Sequence, residues 1–307
     1  ASSLTPNEQA LTLERIEAER WRVGVHITDV AQYVLPDSPI DRESLRRGTS
    51  VVLGETVLPL LPPCLLRHCS LQQGQDHLAI SVLLTLDRAG QVVEFDIQPT
   101  VIQVDYQLSQ AQAQAILSRH ETKGLPADID ELAPVFATLD QLSVLSMAVK
   151  EQRRQQGAFE LNLPEEDSHF NDEGAIAALI ASPLKSARSM IVNLMILVNQ
   201  VVANHLQALS LPAIYRIEPT PDLDEVQELM KLANNLRLEL QVEQEDAVMP
   251  QDYQKFIQQF AESKAERVLN SLLQSTLKPA VYSTVPGPHF SLAQTKGYTH
   301  CISPAQR

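Results

Sequence analysis

An α+β fold, with helices packed on one face of a mixed sheet, is the class this sequence predicts, and three observations predict it. Apolar residues recur at every second position between Ala10 and Val34 and β-branched apolar runs flank a turn near residue 88, helix formers dominate after Leu108, and strands precede helices instead of alternating with them. With 307 residues, 44% hydrophobic and 20% charged, the chain has material for one large core or two modest ones and is not disordered as its main state.

The elements follow in order. Between Ala10 and Val34, Leu11 and Leu13 face one way and Trp21, Val23, Val25 and Ile27 repeat at every second position, so a hairpin is expected. Pro36, Pro39, Pro59, Pro62 and Pro63 then predict an ordered loop with short strands and no helix. A second hairpin is expected from residues 80–86 and 92–102, split by Asp87-Arg88-Ala89-Gly90. Residues 108–120 and 129–155 read as helices, the second closed by Gly157. Ser182-Pro183 reads as the start of a helix running to about Leu209 and ended by Pro212. A short strand at 213–217, a helix after Pro221 and two more between Pro250 and Leu277 complete the chain.

Charge and cysteine content narrow the function. Lys and Arg total 24 against 38 Asp and Glu, a formal charge of -14, so any polyanion must be held by a local basic groove. Cys64, Cys69 and Cys301 are too scattered for a disulfide framework or a zinc knuckle. The most apolar run, residues 190–202, is interrupted by Asn193, Asn199 and Gln200 and is too short to cross a bilayer. With no leader pattern visible, a cytoplasmic or organelle-stroma location is expected, with no membrane partner. His26, on a strand of alternating apolar residues, reads as a structural histidine, and His68-Cys69 as part of the core or a turn, because a metal site needs several converging donors. No glycine-rich phosphate loop and no Gly-x-Ser-x-Gly elbow is present.

Several collinear segments point further. They begin with Trp21-Arg22-Val23-Gly24-Val25-His26-Ile27-Thr28-Asp29-Val30, Asp41-Arg42-Glu43 and Arg46-Arg47-Gly48-Thr49-Ser50. Leu58-Pro59-Leu60-Leu61-Pro62, Cys69-Ser70-Leu71 and Leu78-Ala79-Ile80-Ser81 come next, then Arg153-Arg154 with Gly157-Ala158-Phe159. Met195-Ile196-Leu197-Val198-Asn199, Ile214-Tyr215-Arg216, His289-Phe290-Ser291-Leu292, Tyr298-Thr299-His300 and Ser303-Pro304 complete the set. Together they resemble the catalytic RNB domain of the ribonuclease II and ribonuclease R exoribonucleases. The resemblance implies one RNB-type domain over 1–307, its mixed sheet and helices arranged around an RNA channel, expected to be a piece lacking the family's flanking cold-shock and S1-like barrels. It also implies single-stranded RNA as partner, with no DNA expected, and 3′ to 5′ release of 5′-mononucleotides by water with Mg²⁺ or Mn²⁺.

That chemistry needs two hard cations about 4 Å apart, held by carboxylates. Here the sequence departs from the family. The family's ligands are two adjacent aspartates before an alanine, a third two residues earlier and a fourth further back; counting back from Trp21 places that alanine at Ala10. The ligand positions then hold Pro6, Glu8 and Gln9. Proline offers no donor and a glutamine amide carries no charge to offset a divalent ion, which leaves Glu8 as the one metal ligand. A Glu pair of the family corresponds to Val192 and Asn193, and the first arginine after Ser-Pro to Gln306. Val52 and Gln110 stand where base-holding tyrosines are implied.

Glu8, Gln9, Asn193 and Gln306 are thus the degenerate catalytic positions, while Arg216, His289, Tyr298 and Arg307 keep the family's residue types and are the expected RNA contacts. Each contact has a structural alternative: Arg216 pairs with an acid such as Glu218, and Tyr298 is a packed aromatic with a satisfied hydroxyl. The expected function is an RNA-binding pseudonuclease with hydrolysis lost or impaired, against a working metal-dependent exoribonuclease on one side and a protein-interaction scaffold on the other.

Overall fold

The computed structural model describes residues 8–53, 56–120, 127–161, 165–170, 176–182 and 186–299. These fall into two compact units, the first within Ala1–Ala148 and Glu165–Met195, the second within Val149–Pro164 and Ile196–His300.

The first unit opens with β1 (Gln9–Glu17) and β2 (Arg20–Thr28), antiparallel, with Leu11 opposite Val25 and Leu13 opposite Val23. The chain's single tryptophan, Trp21, lies near the turn of this hairpin. After α1 (Pro39–Arg47), β3 (Val51–Leu53), β4 (Thr56–Leu58) and α2 (Pro63–Cys69), the second expected hairpin forms from β5 (Asp76–Asp87) and β6 (Val92–Gln103). Asp87 shapes its turn: one carboxylate oxygen accepts from the amides of Ala89 and Gln91, both at 2.9 Å, and Gly90 takes a φ of 79°. The two hairpins join into a sheet of order β1-β2-β5-β6. Val23, Val25 and Leu84 on its apolar face have no exposed surface. The described ladders are antiparallel, and the parallel pairing expected of a mixed sheet is confined to the bridges Gln73–Val104 and Glu218–His289.

Four sequence readings are corrected here. The proline-rich segment holds two helices besides the short strands. Proline is well placed in a first helical turn, where its missing N–H removes nothing. Pro39 and Pro63 begin α1 and α2, with Ser38 accepting from the Asp41 amide at 3.2 Å as the cap of α1. The helix expected over 108–120 is α3 (Gln110–Leu117), whereas the one expected over 129–155 begins as a 3-10 stretch, Ala127–Val135, containing Pro134, and becomes α4 (Phe136–Gln155) only beyond that ring. Ser182 ends a strand and does not cap a helix: β7 (Glu165–Phe170) and β8 (Ile176–Ser182) form a hairpin that polarity had masked, and α5 (Ser186–Ala208) starts later. Finally, α5 at 23 residues, and the helical stretch 131–155, are each long and apolar enough to span a bilayer by length and composition. In α5, Met190, Asn193, Leu194, Val198 and Asn199 are buried while Ile191 and Val192 are exposed, so one face of the helix is packed.

The second unit receives the end of α4. Its chain reverses at Gly157, where φ is 107° and the Ala158 amide returns to the Arg153 carbonyl at 3.1 Å. There follow the C-terminal part of α5, β9 (Tyr215–Ile217), α6 (Leu223–Asn235), α7 (Pro250–Ala261), α8 (Glu266–Ser275) and β10 (Val281–Ser283), which pairs with β9. The three helices bury residues at helical spacing: Val226, Leu229 and Ala233; Tyr253, Phe256 and Phe260; Leu269 and Leu273. Phe159 and Phe290 complete this core, their rings 5.0 and 5.2 Å from that of Tyr253.

Candidate functional site

In the first unit, Glu8 stands immediately before β1 and is only 2% exposed. Its carbonyl accepts from the Thr28 amide at 3.0 Å, and the Thr28 hydroxyl in turn donates to the Cys69 carbonyl at 2.7 Å. Burial, reinforced by the Glu8 charge, pushes the Cys69 thiol up to about 11. Glu8 therefore sits at the seam between the start of β1 and the end of α2. Gln9 is half-buried opposite Ile27. Asn193 stands on α5, 3% exposed, with its amide nitrogen 3.5 Å from Ser189 Oγ one turn earlier.

His26, by contrast, has the structural role expected of it. Thr12, His26, Ser81 and Thr100 form one polar row across all four strands, at 2.9 Å from Thr12 Oγ1 to His26 Nε2, 2.6 Å from His26 Nδ1 to Ser81 Oγ and 2.5 Å from Ser81 Oγ to Thr100 Oγ1. His68 rests edge-on against Tyr33, and Cys69 belongs to a small core with Val30, Leu60, Leu61 and Leu66.

The second unit brings three of the expected RNA contacts together. Arg216 lies on β9 and Glu218 directly follows that strand, where it forms a bridge with His289. The Glu218 carboxylate accepts from Ser291 Oγ at 2.5 Å and the Ser291 amide at 2.7 Å, with His289 Nδ1 at 3.0 Å. Burial pushes this carboxyl up, but the hydrogen bonds from His289 and Ser291 outweigh it and hold the group below the usual range. The His289 ring meets Tyr298 edge to face at 5.1 Å, and the Tyr298 hydroxyl accepts from the Asn199 amide at 2.9 Å.

Arg216 does not pair with Glu218. Its guanidinium lies over the Tyr282 ring, 4.6 Å from the centroid, because His289 and Ser291 already claim the carboxylate. Tyr298, 5% exposed, is the packed aromatic of the alternative reading and buttresses His289. Sequence reasoning missed Tyr282 and the support from Asn199; a lone tyrosine beside a valine on a three-residue strand carries no periodic signal. Gln306 and Arg307, like Pro6 and His300, lie outside the described residues.

The metal pair implied by the family resemblance can be tested against the donors. Among the described residues, no group of three or more His, Cys, Asp or Glu is placed to hold a metal ion. At the described catalytic positions, Glu8 supplies charge while Gln9 and Asn193 supply only neutral amides, a set that does not fit two divalent ions.

With the antiparallel sheet, the helical unit and the Glu218–His289–Tyr298 cluster in view, comparison with known proteins places the chain. The RNB domain model matches residues 2–307, and the chain belongs to that family. It is 39% identical over 301 residues to the acetazolamide conferring resistance protein zam of Synechocystis, covering 98% of this chain and 38% of that protein. It is 29% identical to ribonuclease R of Thermotoga maritima, over 98% of this chain and 41% of that protein. The structure of Mycoplasma genitalium RNase R in complex with ribose-methylated single-stranded RNA superposes with a TM-score of 0.88 at 25% identity, over 99% of this chain and 46% of that one. The chain thus spans less than half the length of each of these relatives.

Proposed function

We propose that this chain is an RNB domain of exoribonuclease type that binds single-stranded RNA but has lost, or strongly impaired, its hydrolysis. The RNA half of this reading is supported by kinship with ribonuclease R and by the RNA-bound state of one structural relative. A single observation carries the other half: where the reaction needs fixed negative charge, the described positions supply one carboxylate, Glu8, beside the neutral amides of Gln9 and Asn193. An amide oxygen does not offset a divalent charge, and an ion pair held by one carboxylate is left underligated. Gln306 in place of an arginine removes a positive donor from the developing phosphate charge, and losing one such donor costs about 10²- to 10³-fold in rate. The chain's part in RNA handling is then to grip, through Arg216, His289 and Arg307, with Tyr298 holding His289 in place. We place this activity in the cytoplasm or an organelle stroma.

Labelled single-stranded RNA with Mg²⁺ or Mn²⁺ tests the reading. Mononucleotide release at least about 10²-fold slower than that of a ribonuclease R is expected. Robust release that disappears in Glu8→Gln establishes instead a working metal-dependent exoribonuclease, the reading favoured by the ribonuclease R relatives.

A further inference from the structure

We infer that Arg216 and Tyr282 form a stacking platform for an unpaired nucleobase; the inference rests on the RNA-binding reading above and adds to it the place where a base is gripped. The two residues are direct partners in the β9–β10 ladder, so their side chains leave the same face of that small sheet. The guanidinium carbon stands 4.6 Å from the Tyr282 ring centroid, within the range of a cation–π interaction. Tyr282 contributes little to a core. It keeps 47% of its surface exposed, whereas Tyr215 on the neighbouring strand keeps 3% and Tyr253 none.

The strand beneath the platform is firmly tied. The Arg216 amide donates to the Tyr298 carbonyl at 2.6 Å, the Glu218 amide to the Pro288 carbonyl at 2.9 Å, and the Phe290 amide to the Glu218 carbonyl at 3.1 Å. The Glu218 carboxylate is pinned by His289 and Ser291 two residues beyond Arg216. An aromatic ring is thus oriented at the surface by a cation, on a backbone that does not have to reorganise when something lands on it. In a chain of formal charge -14, an anionic ligand is favoured only where such a cation is presented locally. A planar base stacked against the half-exposed Tyr282 side chain, with its flanking phosphate drawn to the guanidinium, engages both residues at once. Stacking on an aromatic ring tolerates any base, so the ligand class is single-stranded RNA without strong sequence preference; a duplex keeps its bases inside its own stack.

Fluorescence anisotropy with labelled oligouridylate, and with an abasic phosphodiester strand of the same length, tests the platform on the 307-residue chain. Tyr282→Leu, which keeps apolar bulk, is expected to weaken oligouridylate binding by about tenfold and to leave the abasic strand unaffected, whereas Tyr282→Phe binds as the parent chain does. Urea midpoints of both variants should match the parent. If Tyr282→Leu binds oligouridylate as tightly as the parent, or loses both strands equally, the platform is wrong while RNA binding stands. If the parent chain itself binds neither strand, both the platform and the RNA-binding reading fail together.

Discussion

His26 shows how one residue is fixed by the proton inventory of its neighbours. The Thr100 hydroxyl donates to the Ala79 carbonyl at 3.2 Å, so its oxygen is left to accept from Ser81, and Ser81 to accept from His26 Nδ1–H. Nε2 is then bare and accepts from Thr12, which makes the imidazole neutral. Burial also holds its pKa below the ordinary value near 6.5. The unfolded chain therefore takes up a proton before the folded one does. This contribution to stability is complete above about pH 6.5 and is lost as the pH falls from there toward the folded pKa. Urea midpoints measured between about pH 8 and pH 5 should fall in the lower half of that range, and the fall should shrink in His26→Asn. A flat profile for the parent chain above the carboxylate range would refute the assignment. That His26 is structural was legible from the alternation around it. The pairing of Glu218 with His289 was not, because the partners lie 71 positions apart in sequence and only the fold sets the register between their strands.

At the scale of elements, the polar row and the apolar face are two sides of the same four-stranded sheet, and Gly24 is the residue that lets the row close. A Cβ added there would collide with Thr12 Oγ1 and stand 2.7 Å from His26 Nε2, two atoms already bonded to each other. Gly24→Ala is expected to cost about 2 kcal/mol or more, since it overpacks the site and breaks a partly buried hydrogen bond. A thermal melt tests this, and an unchanged midpoint would mean the row yields easily. The first long hairpin was readable from its alternation, the second from apolar β-branched runs split by Asp87-Arg88-Ala89-Gly90, and the helices α6, α7 and α8 from the acidic start after Pro221 and the stretch that Pro250 opens. The elements that were misread are those where one residue type supports two outcomes. Proline at 39 and 63 starts helices although proline also breaks them, and Ser182 ends a strand although serine also caps helices. The hairpin of β7 and β8 escaped because Glu165, Glu166, Asp167, Ser168 and His169 show no apolar alternation.

For the molecule as a whole, charge sets the terms of any RNA encounter. With a formal charge of -14, long-range attraction is absent, and binding depends on a few local cations. If Arg216 and Arg307 are the phosphate contacts, affinity for single strands should fall only about sevenfold between 50 and 200 mM salt, far less than for a basic RNA-binding surface. A loss of about 10³-fold would show that more cations are engaged than these two. Salt-insensitive or absent RNA binding would favour the protein-scaffold reading instead. Counting back from Trp21 gives Glu8 and Gln9, and the motif matches give Asn193 and Gln306, as the positions proposed to have lost catalytic groups; a rate measurement tests what that means for turnover. Trp21 has one more use. As the only indole in the chain, near the turn between β1 and β2, it makes ultraviolet emission a report on the first unit, while the clustered rings of Phe159, Tyr253 and Phe290 give near-ultraviolet dichroism from the second. Two optical signals recorded on one sample thus reveal whether the halves of this protein melt in concert or in sequence.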